Sequence, residues 1–175
     1  MQKLFLDPYQ KICSHVDFLF GRGISSILPE DLELEYSRKT GKIKSFSIDE
    51  KLIGTFRTDG GIALTIEGAK LFLKQKGYQS NCVVPIEDAI PFVSEGRSLF
   101  VKHVLKCGEN VKSGSDVAVI DKNESVLAVG RSLLPFSYYL QSLEDIADLN
   151  RCSLIRGIGV KIREGIKSRS TLGFL

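Results

Sequence analysis

Four cations, Arg38, Lys39, Lys42 and Lys44, surround Gly41 with no acid between the first and the last. At the tip of a turn such side chains do one of two things. They neutralise phosphate oxygens of a nucleic acid, a contact that positions without reading sequence, or they pair with nearby carboxylates. Carboxylates are at hand, because residues 29–35 carry four acids and no base. Exposed pairs of that kind are worth only about 0–1 kcal/mol, and the sequence leaves both readings open. A second basic segment lies far downstream. From Arg151 to Leu175 there are six bases, Arg151, Arg156, Lys161, Arg163, Lys167 and Arg169, against one acid, Glu164.

Other chemistries find less support. The cysteines at 13, 82, 107 and 152 and the histidines His15 and His103 are scattered, without the clustered ligands of a zinc site. They read as reduced thiols and structural rings, and His103 has no acid or nucleophile placed beside it. The aspartates, Asp59, Asp116 and Asp121 among them, stand without a paired base or a nucleophile motif. No catalytic residue, metal or cofactor is expected. The net charge of +3, with 43% hydrophobic and 26% charged residues, describes a globular chain that is only mildly basic. No apolar run approaches the roughly 20 residues needed to cross a bilayer. The opening "MQKLFLDPYQ" is too short for a signal peptide, so a cytoplasmic protein without membrane contact is expected.

The elements that must carry these residues follow from periodicity and turns. "DPYQKICSHVDFLFGRG" reads as a helix: Asp7 caps it, Pro8 suits its first turn and Gly21 ends it. Ile12, Val16, Leu19 and Phe20 share one face. "LELEYS", "IKSFSI", "LIGTFRT" and "IALTI", separated by "KTGK", "DEK" and "DGG", form an antiparallel meander. "EGAKLFLKQKG" is a helix ending at Gly77. "CVVPIEDAIPFVSEG" then leads into a second β-rich unit with "SLFVKHVLK", "DVAVI" and "VLAVGRSLL" as strands. Residues 136–149 read as an amphipathic insertion. "GIGVKIREGI" is the last strand, expected to bury Ile158, Val160 and Ile162 and to turn Lys161 and Arg163 outward on the side of Arg97.

The order of pieces in the second unit resembles the PUA domain, an RNA-binding β pseudo-barrel. The matching residues are Gly96 and Arg97 before the strand from Leu99, then Gly114, Asp116 and Val117, then "LAVGRSLL" and "GVKIR". The first unit, through "FLFGRG", "YSRKTGKIKSF" and "KLIGTFRTDGGIALTIEGAKLF", resembles the region preceding the PUA domain in the archaeal tRNA-guanine transglycosylases of archaeosine synthesis. Together the resemblances span about residues 17–167. They imply an α+β fold: a helix–antiparallel-sheet–helix accessory domain at 1–86, a PUA domain at 87–167 and a flexible tail at 168–175.

The resemblance also implies a role. In that family this region holds the tRNA, while a separate catalytic barrel with its zinc site performs the exchange. The implied function is tRNA or other structured-RNA binding without catalysis, as one subunit of a split transglycosylase. The alternative is a PUA-domain factor of ribosome assembly or translation. Carried over position by position, the RNA-contacting residues are Gly96, Arg97, Phe100, Lys102, Arg131, Lys161 and Arg163. Phe100 either stacks on a base or fills the barrel, and Gly96 either admits a close approach or merely ends a helical turn. Arg38, Lys39, Lys42 and Lys44 are secondary candidates.

Overall fold

The computed structural model describes residues 7–140 and 157–168. Arg151, Cys152, Arg156 and Arg169, the expected amphipathic segment beyond Leu140, and the tail beyond Ser168 lie outside the described residues.

Helix α1, Pro8–Phe20, starts where the Asp7 carboxylate accepts from the Gln10 amide, and it stops at Gly21 with φ +117°. Its buried face is Ile12, Val16 and Phe20. Strands β1 (Glu33–Tyr36), β2 (Ile43–Ile48), β3 (Lys51–Phe56) and β4 (Ile62–Leu64) pair as antiparallel nearest neighbours in the order β1-β2-β3-β4. This is the meander expected from the turns. Helix α2, Ile66–Phe72, is capped by the Thr65 hydroxyl, which accepts from Gly68 N at 3.1 Å. It stops short of the expected Gly77. A 3-10 turn over Lys76–Asn81 replaces its end and drives Tyr78 into the core.

The second sheet contains β5 (Cys82–Pro85), β6 (Leu99–Phe100), β7 (Val104–Cys107), β8 (Asp116–Ile120), β9 (Val126–Ser132) and β10 (Ile158–Gly165), with helix α3 (Ile90–Ser94) between β5 and β6. Its order is β6-β10-β9-β8-β5-β7, so consecutive strands β6 and β7 form opposite edges. Only the 3-10 turn Val101–His103 separates them. A three-residue link reaches about 10 Å, whereas a flat sheet of this width would need roughly 24 Å. The sheet must therefore curl until its edges nearly meet, which is the expected pseudo-barrel.

Closure accounts for a departure from expectation. "LFVKHV" is not one strand, because the barrel corner breaks it, and Lys102 sits in the turn rather than on an alternating face. Segment Cys82–Pro85 is likewise more than a connection. β5 lies between β7, to which it is antiparallel, and β8, to which it is parallel, so it belongs with the second sheet ahead of residue 87. Its proline stands at the strand end where the register shifts, a position that tolerates a missing amide N–H.

Two apolar clusters hold these layers. One fills the barrel with Val83, Val93, Leu99, Val117, Val119, Ala128 and Val160. The other is shared between units: Phe20, Phe46, Phe72 and Tyr78 meet Ala118, Ile120, Val126 and Val129 on the outside of the barrel. Strand β8 is buried on both faces, and its unbroken apolar run "VAVI" answers that requirement. Two asparagines tie the units at one end. Asn110 donates to Leu19 O at 3.1 Å and to Asn81 Oδ1 at 2.6 Å, and Asn81 donates to Phe20 O at 2.6 Å.

The barrel leaves no room where β10 meets α3. A Cβ at Gly165 would lie 2.3 Å from Ser94 O. Gly165→Ala is expected to cost about 1–3 kcal/mol through overpacking, lowering the melting temperature by roughly 2–4 °C per kcal/mol. Thermal denaturation followed by circular dichroism checks this. An unchanged midpoint contradicts the packing described.

Candidate nucleic-acid interface

Helix α3 ends in a Schellman arrangement. Gly96 N donates to Val93 O at 2.9 Å and Arg97 N donates to Phe92 O at 3.0 Å. The left-handed position this motif requires is supplied by Gly96, at φ +92°. Gly96 thus ends the helix, and it aims Arg97 back over α3. The Arg97 guanidinium stands 5.4 Å from the centroid of the Phe92 ring and 3.7 Å from a Glu95 carboxylate oxygen. Arg97, Phe92, Phe100 and His103 line one cleft of about 230 Å³. Phe100 is 47% exposed, so it does not fill the barrel. Inside this group the His103 Nδ1 atom is buried without a hydrogen-bond partner.

Lys161 lies on β10, between β6 and β9. Its cross-strand partner on β9 is Arg131, whose partner on β8 is Asp116, so the three share the outer face of the barrel. Val160 is buried as expected, whereas Ile162 is only half-buried. Ile158 is 37% exposed instead, because the register shifts between Ile158 and Val160 and leaves it opposite the exposed Phe100. A second shift, between Ile162 and Glu164, redirects Arg163. Its guanidinium donates to Asp116 Oδ1 at 2.7 Å and to Leu64 O of β4 at 2.6 Å.

Two of the expected RNA contacts therefore bond to groups at the junction of the units while staying partly exposed. Arg57, at the end of β3, donates to Asp116 Oδ2, to Asp59 through two nitrogens at 2.9 and 2.8 Å, and to Gly114 O at 3.1 Å. Arg131 donates to Gly114 O at 3.0 Å and to Asp59 Oδ2 at 3.1 Å. Ile66 N donates to Glu164 Oε2 at 3.3 Å. Arg163 is spent on this clamp, which corrects its expected outward role, whereas Arg131 joins it with 47% of its side chain still exposed. The partners Arg57, Asp59 and Asp116 were missed by the sequence reading. The available signal was an aspartate opening an otherwise apolar strand, in "DVAVI".

Asp116 has a side chain only 2% exposed, and burial pushes its pKa up against the opposing pull of the Arg163 and Arg57 guanidiniums. Asp59 is held at about 2 by hydrogen bonds from Arg57 and from the Gly61 amide. Burial pushes the Cys82 and Cys107 thiols up to about 12, as fits unreactive core groups. Among the described residues no three His, Cys, Asp or Glu side chains gather as metal ligands, and no helix is long and apolar enough to cross a membrane.

The basic turn of the first unit divides. Lys44 pairs with Glu35 at 2.7 Å, the carboxylate reading, and Ser45 Oγ donates to the same Glu35 at 2.8 Å. The turn itself closes through Ser37 N to Lys42 O and Gly41 N to Ser37 O, both 2.8 Å. It exposes Arg38, Lys39 and Lys42, whose side chains have no partner among the described residues.

Comparison with known proteins accounts for this two-unit plan. Residues 11–77 match the patch-forming domain C2 of tRNA-guanine transglycosylase, and residues 83–135 match the PUA domain. The chain is built like the C2 and PUA domains of archaeal tRNA-guanine transglycosylases. It is 32% identical over 162 residues to the tRNA-guanine(15) transglycosylase of Methanothermobacter thermautotrophicus, covering 91% of this chain and 23% of that protein. The Thermococcus kodakarensis enzyme is 32% identical over 152 residues, covering 86% of this chain and 24% of its own. The chain thus spans about a quarter of the length of these relatives. A hypothetical protein from Pyrococcus horikoshii shares the fold with a TM-score of 0.63 at 18% identity, covering 90% of this chain and 89% of that one. A conserved PUA domain protein from Thermoplasma acidophilum does so with a TM-score of 0.60, also at 18% identity, over 89% and 87% of the two chains. These two likenesses establish the fold alone.

The clamp between the C2 and PUA units makes two measurable demands. Asp116→Ala leaves the Arg57 and Arg163 guanidiniums without their shared carboxylate, and is expected to cost about 3 kcal/mol. Urea denaturation checks this through a lower midpoint with an unchanged slope. Asp59 adds a pH dependence. Its folded pKa of about 2 lies below the ordinary 3.8, so its contribution is present above pH 4 and is lost as pH falls toward 2. Asp59→Asn should flatten the stability profile in that window, as measured by denaturation across pH. A profile identical to wild type contradicts the pairing.

Proposed function

We propose that this chain binds tRNA and presents it to a transglycosylase catalytic polypeptide, contributing binding rather than chemistry. The carrying observation is that the chain matches the C2 domain over residues 11–77 and the PUA domain over 83–135, while 91% of it aligns with an enzyme about four times as long. Cation chemistry supports the same reading. Arg97 borders the aromatic cleft beside α3, Lys161 stands on the exposed face of β10, and Arg38, Lys39 and Lys42 crown the far turn. Gly96 positions the first of these, while Phe100 offers an exposed ring on which a base can stack. Lys102, in the corner turn, is exposed beside them. Holding tRNA in this way raises its effective concentration at a partner's active site.

Direct binding is the first test. A tRNA transcript should bind with an affinity that falls steeply with salt, because lysine and arginine release counterions from the phosphates. Arg97→Glu with Lys161→Glu should weaken binding by about ten-fold or more at moderate salt. Arg163→Glu is the wrong probe, since it breaks the clamp. An absence of tRNA affinity at low salt overturns the reading.

Exchange is the second test. A transglycosylase catalytic polypeptide lacking its own C2 and PUA domains should incorporate labelled base into tRNA at a lower apparent KM when this chain is added, since the added contacts lie remote from the reacting atoms. No stimulation removes the subunit role and leaves RNA binding as such.

A further inference from the structure

We propose that the cleft at the junction of the C2 and PUA units holds an unpaired nucleotide of the bound RNA, its base stacked on Phe18 and its phosphate against Lys112 and Arg131. This rests on the reading of the chain as an RNA-binding protein and adds a site to it. The cleft encloses about 480 Å³ and is lined by Phe18 and His15 of α1, by Lys112 from the loop before β8, and by Arg131. Arg57, Asp59 and Asp116 also line it, with their charges already paired to one another.

Phe18 is the unexplained residue. It is 84% exposed, while Ile12, Val16 and Phe20 already supply the buried face of α1. Nothing in the packing of the helix calls for a ring there. The cations around it differ in how far they are engaged, Arg131 already pairing with Asp59 at 3.1 Å. The Lys112 and Lys161 side chains have no ion-pair or hydrogen-bond partner among the described residues, and Arg131 keeps about half its side chain exposed. Lys161 is the cross-strand neighbour of Arg131, and Arg131 shares the cleft with Lys112. A line of positive charge therefore runs from the terminal strand into the cleft and ends at an open aromatic face. That combination, a basic track with a stacking platform, is what single-stranded nucleic acid takes. A protein partner would ask for a wider apolar patch than one phenyl ring, since stable protein interfaces bury about 800 Å² on each side.

The chain has no tryptophan, which makes the test direct. Phe18→Trp introduces a single fluorophore at the proposed platform, and its emission should be quenched in step with binding of a tRNA transcript. Phe18→Ala should melt like wild type, because the ring is exposed, yet bind the same transcript about ten-fold more weakly. Lys112→Gln should lower the slope of log affinity against log salt by about one. If wild type binds no tRNA, this site and the general RNA-binding reading fall together. If wild type binds tRNA while the tryptophan stays silent and Phe18→Ala binds equally well, the junction site alone is overturned. It is also overturned if Phe18→Ala leaves tRNA binding intact but weakens association with a transglycosylase catalytic polypeptide, because the ring then serves a protein contact.

Discussion

A carboxylate with almost no access to water has to be met by cations, and Asp116 is met by two. One, Arg57, comes from the meander of the C2 unit, and the other, Arg163, from a bulge in the last strand of the PUA barrel. Separating the units would take Arg57 from this carboxylate and leave it with Arg163 of its own barrel. The clamp is not where most of the adhesion comes from. A buried ion pair only roughly offsets its own desolvation, whereas each large apolar side chain in the shared core is worth about 1.5–3 kcal/mol. The clamp does something the core cannot. Apolar contact is indifferent to small sliding, while two guanidiniums on one carboxylate accept a single placement. The shared core holds the units together, and Asp116 with its arginines fixes how they meet.

This placement sorts the cations of the chain into two populations. Arg57 and Arg163, and partly Arg131, are consumed by Asp59 and Asp116. Arg97, Lys102, Lys112, Lys161 and the trio at the far turn remain accessible to a polyanion. The net charge of +3 hides this division, because each intramolecular pair takes a cation out of play along with its acid. Mutagenesis guided by charge alone would confuse the two populations. Reversing Arg163 would damage the assembly of the units, and reversing Lys161 would change only the outer surface.

Local signals in the chain were strong where the structure is local. The Asp7–Pro8 start of α1, the four strands of the meander with their turns, and the hairpin of β8 and β9 all rest on contacts between near neighbours, and periodicity with turn chemistry reports those well. The failures are non-local. "LFVKHV" alternates like a strand, yet barrel closure bends it at Val101–His103. Cys82–Pro85 looks like a linker because it is short and ends in proline, yet it is covered on both sides by partners far along the chain. Arg163 alternates outward in sequence, but a bulge whose cause lies in its pairing with β9 redirects it to Asp116. For the proposed RNA-binding surface, residue type pointed to Arg97, Phe100 and Lys161. It could not reveal Phe18, which sits in a helix whose pattern predicts only which residues are buried.

The position of β10 in the second sheet fixes an order of events during synthesis. It is the last described strand in sequence, yet it lies between β6 and β9 and supplies one wall of the barrel. The strands of the C2 meander each pair with the next to emerge, so that sheet can form while the rest of the chain is still being made. The barrel cannot close until residues 158–165 are available, and Arg163 cannot reach Asp116 before then. Until that moment Asp116 has Arg57 but not Arg163 of the two guanidiniums that donate to it, and Leu99 lacks its partner Val160. A ribosome pausing ahead of residue 158 would hold a chain with one finished sheet and one open one, its apolar interior facing solvent and any chaperone within reach.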